Sequence, residues 1–240
     1  NDPLSMEGSK TIQDRKFLLK RCYKIIFNSN WSKKRFLEGL ENKFVNSDKL
    51  AVFFQSAKKN NISILKNKKK WITFVGKLNS AKGFDLFGEA VLKILNKYSD
   101  WKGIVIGNEP RQKLFYHHKN LINAGFKNNK YVLKKLEDVS ISIVPSRWDE
   151  PFGRSSLEAA SRGCAIIRSN TGGLKETTRH AIVLKKMTSD ELFKKIELLI
   201  KNKKTLKKLQ KLNYNSFKLT NNYSSKLLDE IRKKLIFKHK

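Results

Sequence analysis

The chain has 240 residues, 39% of them hydrophobic, enough to bury a real core in one large or two smaller domains. Its formal charge of +31 comes from 42 lysines and 10 arginines against 21 acids. No run approaches the roughly 18–20 apolar residues of a membrane span, two cysteines make no disulfide framework, and NDPLSMEGSK lacks a signal pattern, so reduced thiols in a cytoplasm are expected. A field of this sign attracts nucleic acid, anionic lipid or phosphorylated ligands. The lysines are spread along the chain, however, with runs at 66–70 and 201–208, and are read chiefly as a solvated surface.

In chain order, residues 14–22 read as a helix, Tyr23–Asn28 as a buried strand, and Trp31–Leu40 as an amphipathic helix capped by Ser29 or Asn30. Residues 41–70 carry two short apolar runs, 50–54 and 62–65, and are read as a connection between domains. Beyond them the signal sharpens. WITFVG (71–76), GIVIG (103–107), SISIVPS (140–146), CAIIRS (164–169) and AIVL (181–184) read as strands, with helices over 83–98 and 153–163. Near-continuous apolar strands alternating with helices predict an α/β, Rossmann-like parallel sheet covered on both faces. Helices follow over 189–201, 203–220 and 224–237, the first opening with a capping box, TSDE.

In such a sheet ligands bind beyond the carboxyl ends of the strands, where helix N-termini aim amide groups at anions. Three segments fall there. GKLNSAKG places Gly76, Lys77 and Lys82 before a helix that opens at Gly83, and two ammonium groups there suit a diphosphate. EPFGRSSLE sets Glu150 in a loop and Glu158 more than a turn into the next helix, so that one carboxylate can accept from sugar hydroxyls and the other from a ribose. TGGLKE supplies Gly172 and Gly173, whose amides can meet a phosphate or make a plain turn. Each segment alone also fits a solvated lysine loop, surface acids or a tight turn.

Taken together and in this order, GKLNSAKG, VPSRWDEPFGRSSLEAASRG and TGGLKE resemble the C-terminal domain of the family 4 (group 1) retaining glycosyltransferases with the GT-B fold. The resemblance implies a sugar transferred with retention from a nucleotide-diphosphate sugar, usually without metal, in cell-surface polysaccharide or lipopolysaccharide synthesis. It implies catalytic roles for Glu150, Lys77 and Lys82. Donor contacts fall on Gly76, Lys77, Lys82, Glu150, Phe152, Gly153, Arg154, Glu158, Gly172 and Gly173. Arg154 has two readings, a phosphate contact or a partner for a nearby acid. Lys77 stands where arginine is common, and Lys175 where proline is usual.

The implied organisation is a remnant of the acceptor domain over 1–48, the nucleotide-sugar domain over 49–221 and a crossover helix over 222–240, with the N-terminal domain largely missing. The chain then reads as a fragment, or as half of a site completed by a partner. Its acceptor is a glycan, a lipid-linked glycan or a lipopolysaccharide core, and peripheral contact with an anionic membrane is a further expectation. Competing readings are an inactive remnant that binds nucleotide sugar and a basic nucleic-acid-binding protein, the second disfavoured because no helix-turn-helix, zinc or aromatic-basic motif is present. Cys164 is expected in the core, and Trp148 there in preference to a wall of the site. His117 and His118 are expected to be exposed and not to form a metal site.

Overall fold

A computed structural model describes residues 2–44, 47–59, 63, 65, 68–112 and 114–237. The apolar run at 62–65, the first two residues of the run at 66–70 and the last three residues of the basic C-terminus therefore fall wholly or partly outside the described residues.

The chain begins with α1 (Ile12–Arg21), whose start is fixed by a reciprocal pair of bonds between Thr11 and Asp14. β1 (Ile25–Phe27) and α2 (Asn30–Leu37) follow, with Ser29 capping α2 through the amide of Ser32. β1 pairs in parallel with β2 (Leu50–Val52). The segment 41–70, expected to be a connection, thus contains a strand; at three residues it is too short to show a period, and β1 decides its conformation. Leu19, Phe27, Phe36 and Leu50 form a small core of their own. Arg15 is buried beneath it, donating to the carbonyls of Phe36 (2.6 Å) and Glu38 (2.7 Å).

The main sheet has six parallel strands in the order β5-β4-β3-β6-β7-β8. They are β3 (Lys69–Val75), β4 (Lys102–Ile106), β5 (Leu121–Asn123), β6 (Val139–Val144), β7 (Ala165–Arg168) and β8 (Ala181–Val183). Ile72, Phe74, Ile141, Ile143 and Ile167 point to one face, covered by α3 (Phe84–Lys97) and α6 (Ser189–Lys201). Ile104, Ile106, Val139 and Ile166 point to the other, covered by α4 (Asn129–Asp138) and α5 (Arg154–Ser161). The expected parallel sheet between two helical layers is therefore what forms, with apolar residues on both sides of each central strand. The winding starts at β3, runs outward to β5, and returns to the centre at β6. That reversal parts the loops after β3 and β6 and leaves a crevice at their carboxyl ends.

Some local expectations fail for identifiable reasons. β5 and α4 carry no sequence signal strong enough to name them: β5 has three residues and α4 buries only Val132 and Leu136. α7 (Lys203–Asn215) stops at Ser216 instead of reaching 220, and α8 (Asn221–Phe237) starts a turn early. The TSDE box is half made. Thr188 accepts from the Glu191 amide, but the Glu191 carboxylate turns back to the amides of Lys185 and Lys186.

Across the α3–α6 contact, Glu197 bonds Lys97 and the Tyr98 hydroxyl, both at 2.8 Å. The Lys97 hydrogen bond, then that of Tyr98, holds the Glu197 carboxyl at about 2 against an ordinary 4.5. A depressed native pKa contributes stability that is complete above the unfolded value and lost as pH falls toward the native one. Glu197→Gln should therefore flatten the loss of stability between pH 4.5 and about 2, measured as urea midpoints across that range. An unchanged slope would show that the contact is open in solution.

Candidate functional site

The loop after β3 is shaped by Asn79, whose side chain accepts from the Lys82 amide at 3.0 Å and sets a 3-10 turn over Ser80–Lys82. The Asn79 amide group also donates to Glu109 in the loop after β4. Hydrogen bonding from Arg111 holds the Glu109 carboxyl at about 2, so that acid stays charged. Gly83 ends the turn in the left-handed region (φ 71°) and starts α3. A Cβ there would lie 2.0 Å from the carbonyl oxygen of Pro145, so only glycine lets the two loops meet.

The loop after β6 is bound to the first along its length. The amides of Arg147 and Trp148 both donate to the Ala81 carbonyl (2.9 and 3.0 Å), and the Arg147 guanidinium grips Asp85 at 2.7 and 2.8 Å. Trp148, expected in the core, is 48% exposed, because its backbone is committed to this surface seam.

Between the loops lies a cleft of about 560 Å³, within the usual range of small-molecule sites. Gly76, Lys82, Glu150, Phe152, Gly153, Arg154 and Glu158 all line it, together with the exposed ring of Phe126. Lys82 Nζ sits 2.6 Å from Glu150 Oε1, so the expected diphosphate cation and sugar-binding carboxylate form an ion pair with each other. Glu158 is buried, with only 7% of its side chain exposed, and its Oε1 accepts from Asn129 Nδ2 (2.7 Å) and Arg154 (2.9 Å). A buried carboxylate requires such partners. Among the described residues no bond is made to Oε2. Of the two readings of Arg154 the structure shows the acid partner: it pairs with Glu158, and its side chain is 55% exposed at the cleft. α5 starts here at Gly153 (φ 99°), and no side chain caps its first amides.

Three expected residues stand apart. Lys77 is exposed and lies outside the lining, so of the two lysines Lys82 is the one brought to the cleft. Gly172 and Gly173 have their amides taken, by Asp149 Oδ1 at 3.0 Å and the Glu150 carbonyl at 2.6 Å. Their turn backs Glu150 from behind and offers no amide to a phosphate. A Cβ on Gly172 would lie 2.3 Å from the Glu150 carbonyl oxygen, which explains the glycine. Asn129 escaped sequence reasoning because its helix did; the one available signal was Asn128 as a cap ahead of NKYVLKKL.

The cleft also touches the first unit. Asn28 and Gln55 line it, Ser29 Oγ donates to the Pro151 carbonyl at 2.5 Å, and the Glu176 carboxylate accepts from the amides of Asn30 and Trp31, each at 2.8 Å. His117 is exposed, but His118 is half-buried, its Nδ1 accepting from the Asn120 amide. Cys164 is fully buried, as expected. Among the described residues no cluster of three or more His, Cys, Asp or Glu is placed to hold a metal, and no helix is long and apolar enough to cross a membrane.

Comparison with known proteins agrees with this architecture. The chain is 31% identical over 119 residues to 2-deoxystreptamine N-acetyl-D-glucosaminyltransferase of Niallia circulans, a match covering 47% of this chain and 30% of that protein. It is 27% identical over 111 residues to the lipopolysaccharide core biosynthesis mannosyltransferase LpcC of Rhizobium leguminosarum bv. viciae, covering 42% and 31%. The chain thus spans about a third of the length of these curated relatives. The structure of Anabaena Alr3699/HepE in complex with UDP and glucose superposes with a TM-score of 0.74 at 15% identity, covering 97% of this chain and 68% of that one, a likeness of fold. The family model described as glycosyl transferases group 1 matches residues 55–218, most of the chain and the whole of the cleft's main-sheet wall, and the chain belongs to that family.

Proposed function

We propose that this chain carries the donor-binding half of a retaining glycosyltransferase that moves a sugar from a nucleotide-diphosphate donor to a glycan, lipid-linked glycan or lipopolysaccharide-core acceptor. The observation that carries the reading is the cleft at the sheet's switch point, where Lys82, Glu150, Glu158 and the uncapped start of α5 converge. The sugar-transfer activities of the relatives and the UDP and glucose bound by the HepE protein support it. Retention rests on the Glu150-to-Glu158 motif alone.

In this reading the donor's diphosphate displaces Glu150 from Lys82, and the freed ammonium and the first amides of α5 stabilise charge as the sugar–phosphate bond breaks. The released Glu150 carboxylate then accepts from hydroxyls of the donor sugar. Glu158 Oε2, free of internal bonds among the described residues, accepts from the ribose. Binding thus exchanges one ion pair for two ligand contacts.

Calorimetric titration with UDP and GDP tests the assignment. The chain should bind at least one of them, and Lys82→Ala should raise Kd by about tenfold, the loss of one cationic contact net of freeing Glu150. Binding unchanged in Lys82→Ala, or no binding of either nucleotide, would remove the donor site from this cleft.

A further inference from the structure

The two lysine runs that the donor cleft leaves unused come together in space. A second cleft, of about 670 Å³, opens at the amino ends of β3 and β6, opposite the donor cleft. β3 alone, at about 3.3 Å per residue, separates the two ends by roughly 20 Å. Lys68 and Lys70 line the second cleft from the run that leads into β3, and Lys203, Lys207 and Lys211 from one face of α7 at helical spacing of four. Its floor is apolar, with Trp101 and Leu206 both buried.

We infer that this cleft binds a phosphate-bearing anion at a site separate from that of the donor. Lys70, Lys203, Lys207 and Lys211 line one concave volume whose lining contains a single carboxylate, Asp100, already paired with Lys70, while the Lys68 ammonium at its edge is turned to the Leu136 carbonyl. Among the described residues, Lys203, Lys207 and Lys211 make no ion pair, whereas Lys69, Lys97 and Lys201 nearby in sequence each hold an acid. A cleft lined mainly by one sign of charge focuses the field and raises the local concentration of counter-ions, even where, as for Lys70, Lys203, Lys207 and Lys211, the side chains are exposed. Here residues about 130 positions apart in sequence are folded toward one another, and a multivalent anion can bridge them. Lys68 is the least exposed member of the group: its Nζ donates to the Leu136 carbonyl at 2.8 Å, and burial pushes its pKa down. Phosphate oxygens on a short polyphosphate, or on the headgroups of an anionic membrane, present the same chemistry.

The test follows the indole N–H signal of Trp101 by NMR during titration with inorganic tripolyphosphate, which separates this cleft from any binding at the donor site. The signal should shift saturably. Replacing Lys203, Lys207 and Lys211 together by glutamine should weaken the shift by about tenfold or more. Replacing the exposed Lys119, Lys204 and Lys208, which lie outside the lining, should change it by no more than roughly twofold. A Trp101 signal that never moves, or equal weakening in both triple variants, would overturn the site and return the charge to a general surface effect. Sedimentation with phosphatidylcholine vesicles, with and without phosphatidylglycerol, then identifies the source. Pelleting that requires phosphatidylglycerol and the three α7 lysines assigns the site to a membrane surface, and pelleting in neither case assigns it to a soluble polyphosphate. UDP binding should persist in both triple variants, so failure here leaves the donor assignment standing.

Discussion

Glu158→Ala should weaken binding of the donor nucleotide by about 3 kcal/mol, roughly a hundredfold in Kd. On the proposed role the carboxylate accepts two ribose hydroxyls, and hydrogen bonds to a charged acceptor contribute about 1.5–3 kcal/mol each. The substitution also strands the two groups that now hold it, Asn129 Nδ2 and the Arg154 guanidinium. Glu158→Gln should lie between alanine and wild type, since it keeps one acceptor oxygen and the side-chain volume. Inorganic pyrophosphate, which has no ribose, should bind Glu158→Ala as it binds wild type. Calorimetry with both ligands separates the cases, and a variant that loses nucleotide and pyrophosphate equally would mean that Glu158 supports the cleft's shape and touches no ribose.

The second large effect concerns the backbone that brings the loops together. Gly83→Ala should destabilise the fold by about 3 kcal/mol, lowering Tm by roughly 6–12 °C for a chain of this size. Two penalties add. The left-handed conformation at φ 71° disfavours any side chain, and the new Cβ would sit 2.0 Å from a backbone oxygen, that of Pro145, which no rotamer change can move aside. Gly125 is the internal control, with a similar φ of 66° and nothing within 4 Å of an added Cβ. Gly125→Ala should cost only about 1 kcal/mol, the conformational part alone. Thermal unfolding of the pair measures the difference. Equal losses would show that the loop after β6 yields easily, and the cleft would then be less preformed than its hydrogen bonds imply.

The central strands of the main sheet were legible because each is a short, dense apolar run broken only by small hydroxyl residues, Thr73 in WITFV and Ser140 and Ser142 in SISIV. The glutamate pair was legible because its spacing crosses a loop-to-helix boundary that Gly153 marks. What escaped lies where burial is partial. α4 buries two side chains against a lysine-rich outer face, β5 is three residues long, and β2 takes its conformation from β1. Without α4, Asn129 had no position, and the support beneath Glu158 could not be seen. Lys77 and Lys82 look equivalent in GKLNSAKG, but the 3-10 turn that Asn79 imposes directs only Lys82 to Glu150. The double glycine reads as a phosphate loop until the partners of its amides are known. The lysine runs look like solvent-facing filler until tertiary structure sets them against one another.

The contact between the α1–β2 unit and the main sheet is polar where it touches the cleft: Ser29 on Pro151, and the Glu176 carboxylate on the first amides of α2. Groups of this kind, once parted, rebond to water, so each costs only about 1–3 kcal/mol to separate, less than exposing an apolar core of the same extent. Mechanical compliance is thereby concentrated in one place. Under a load the molecule should yield at this wet seam before the sheet does, moving the wall of the cleft that carries Asn28 against the wall that carries the two glutamates, while Gln55 stays with the main sheet through Phe54 and Ala57. The width of the cleft is an adjustable quantity, set by a handful of water-exchangeable bonds.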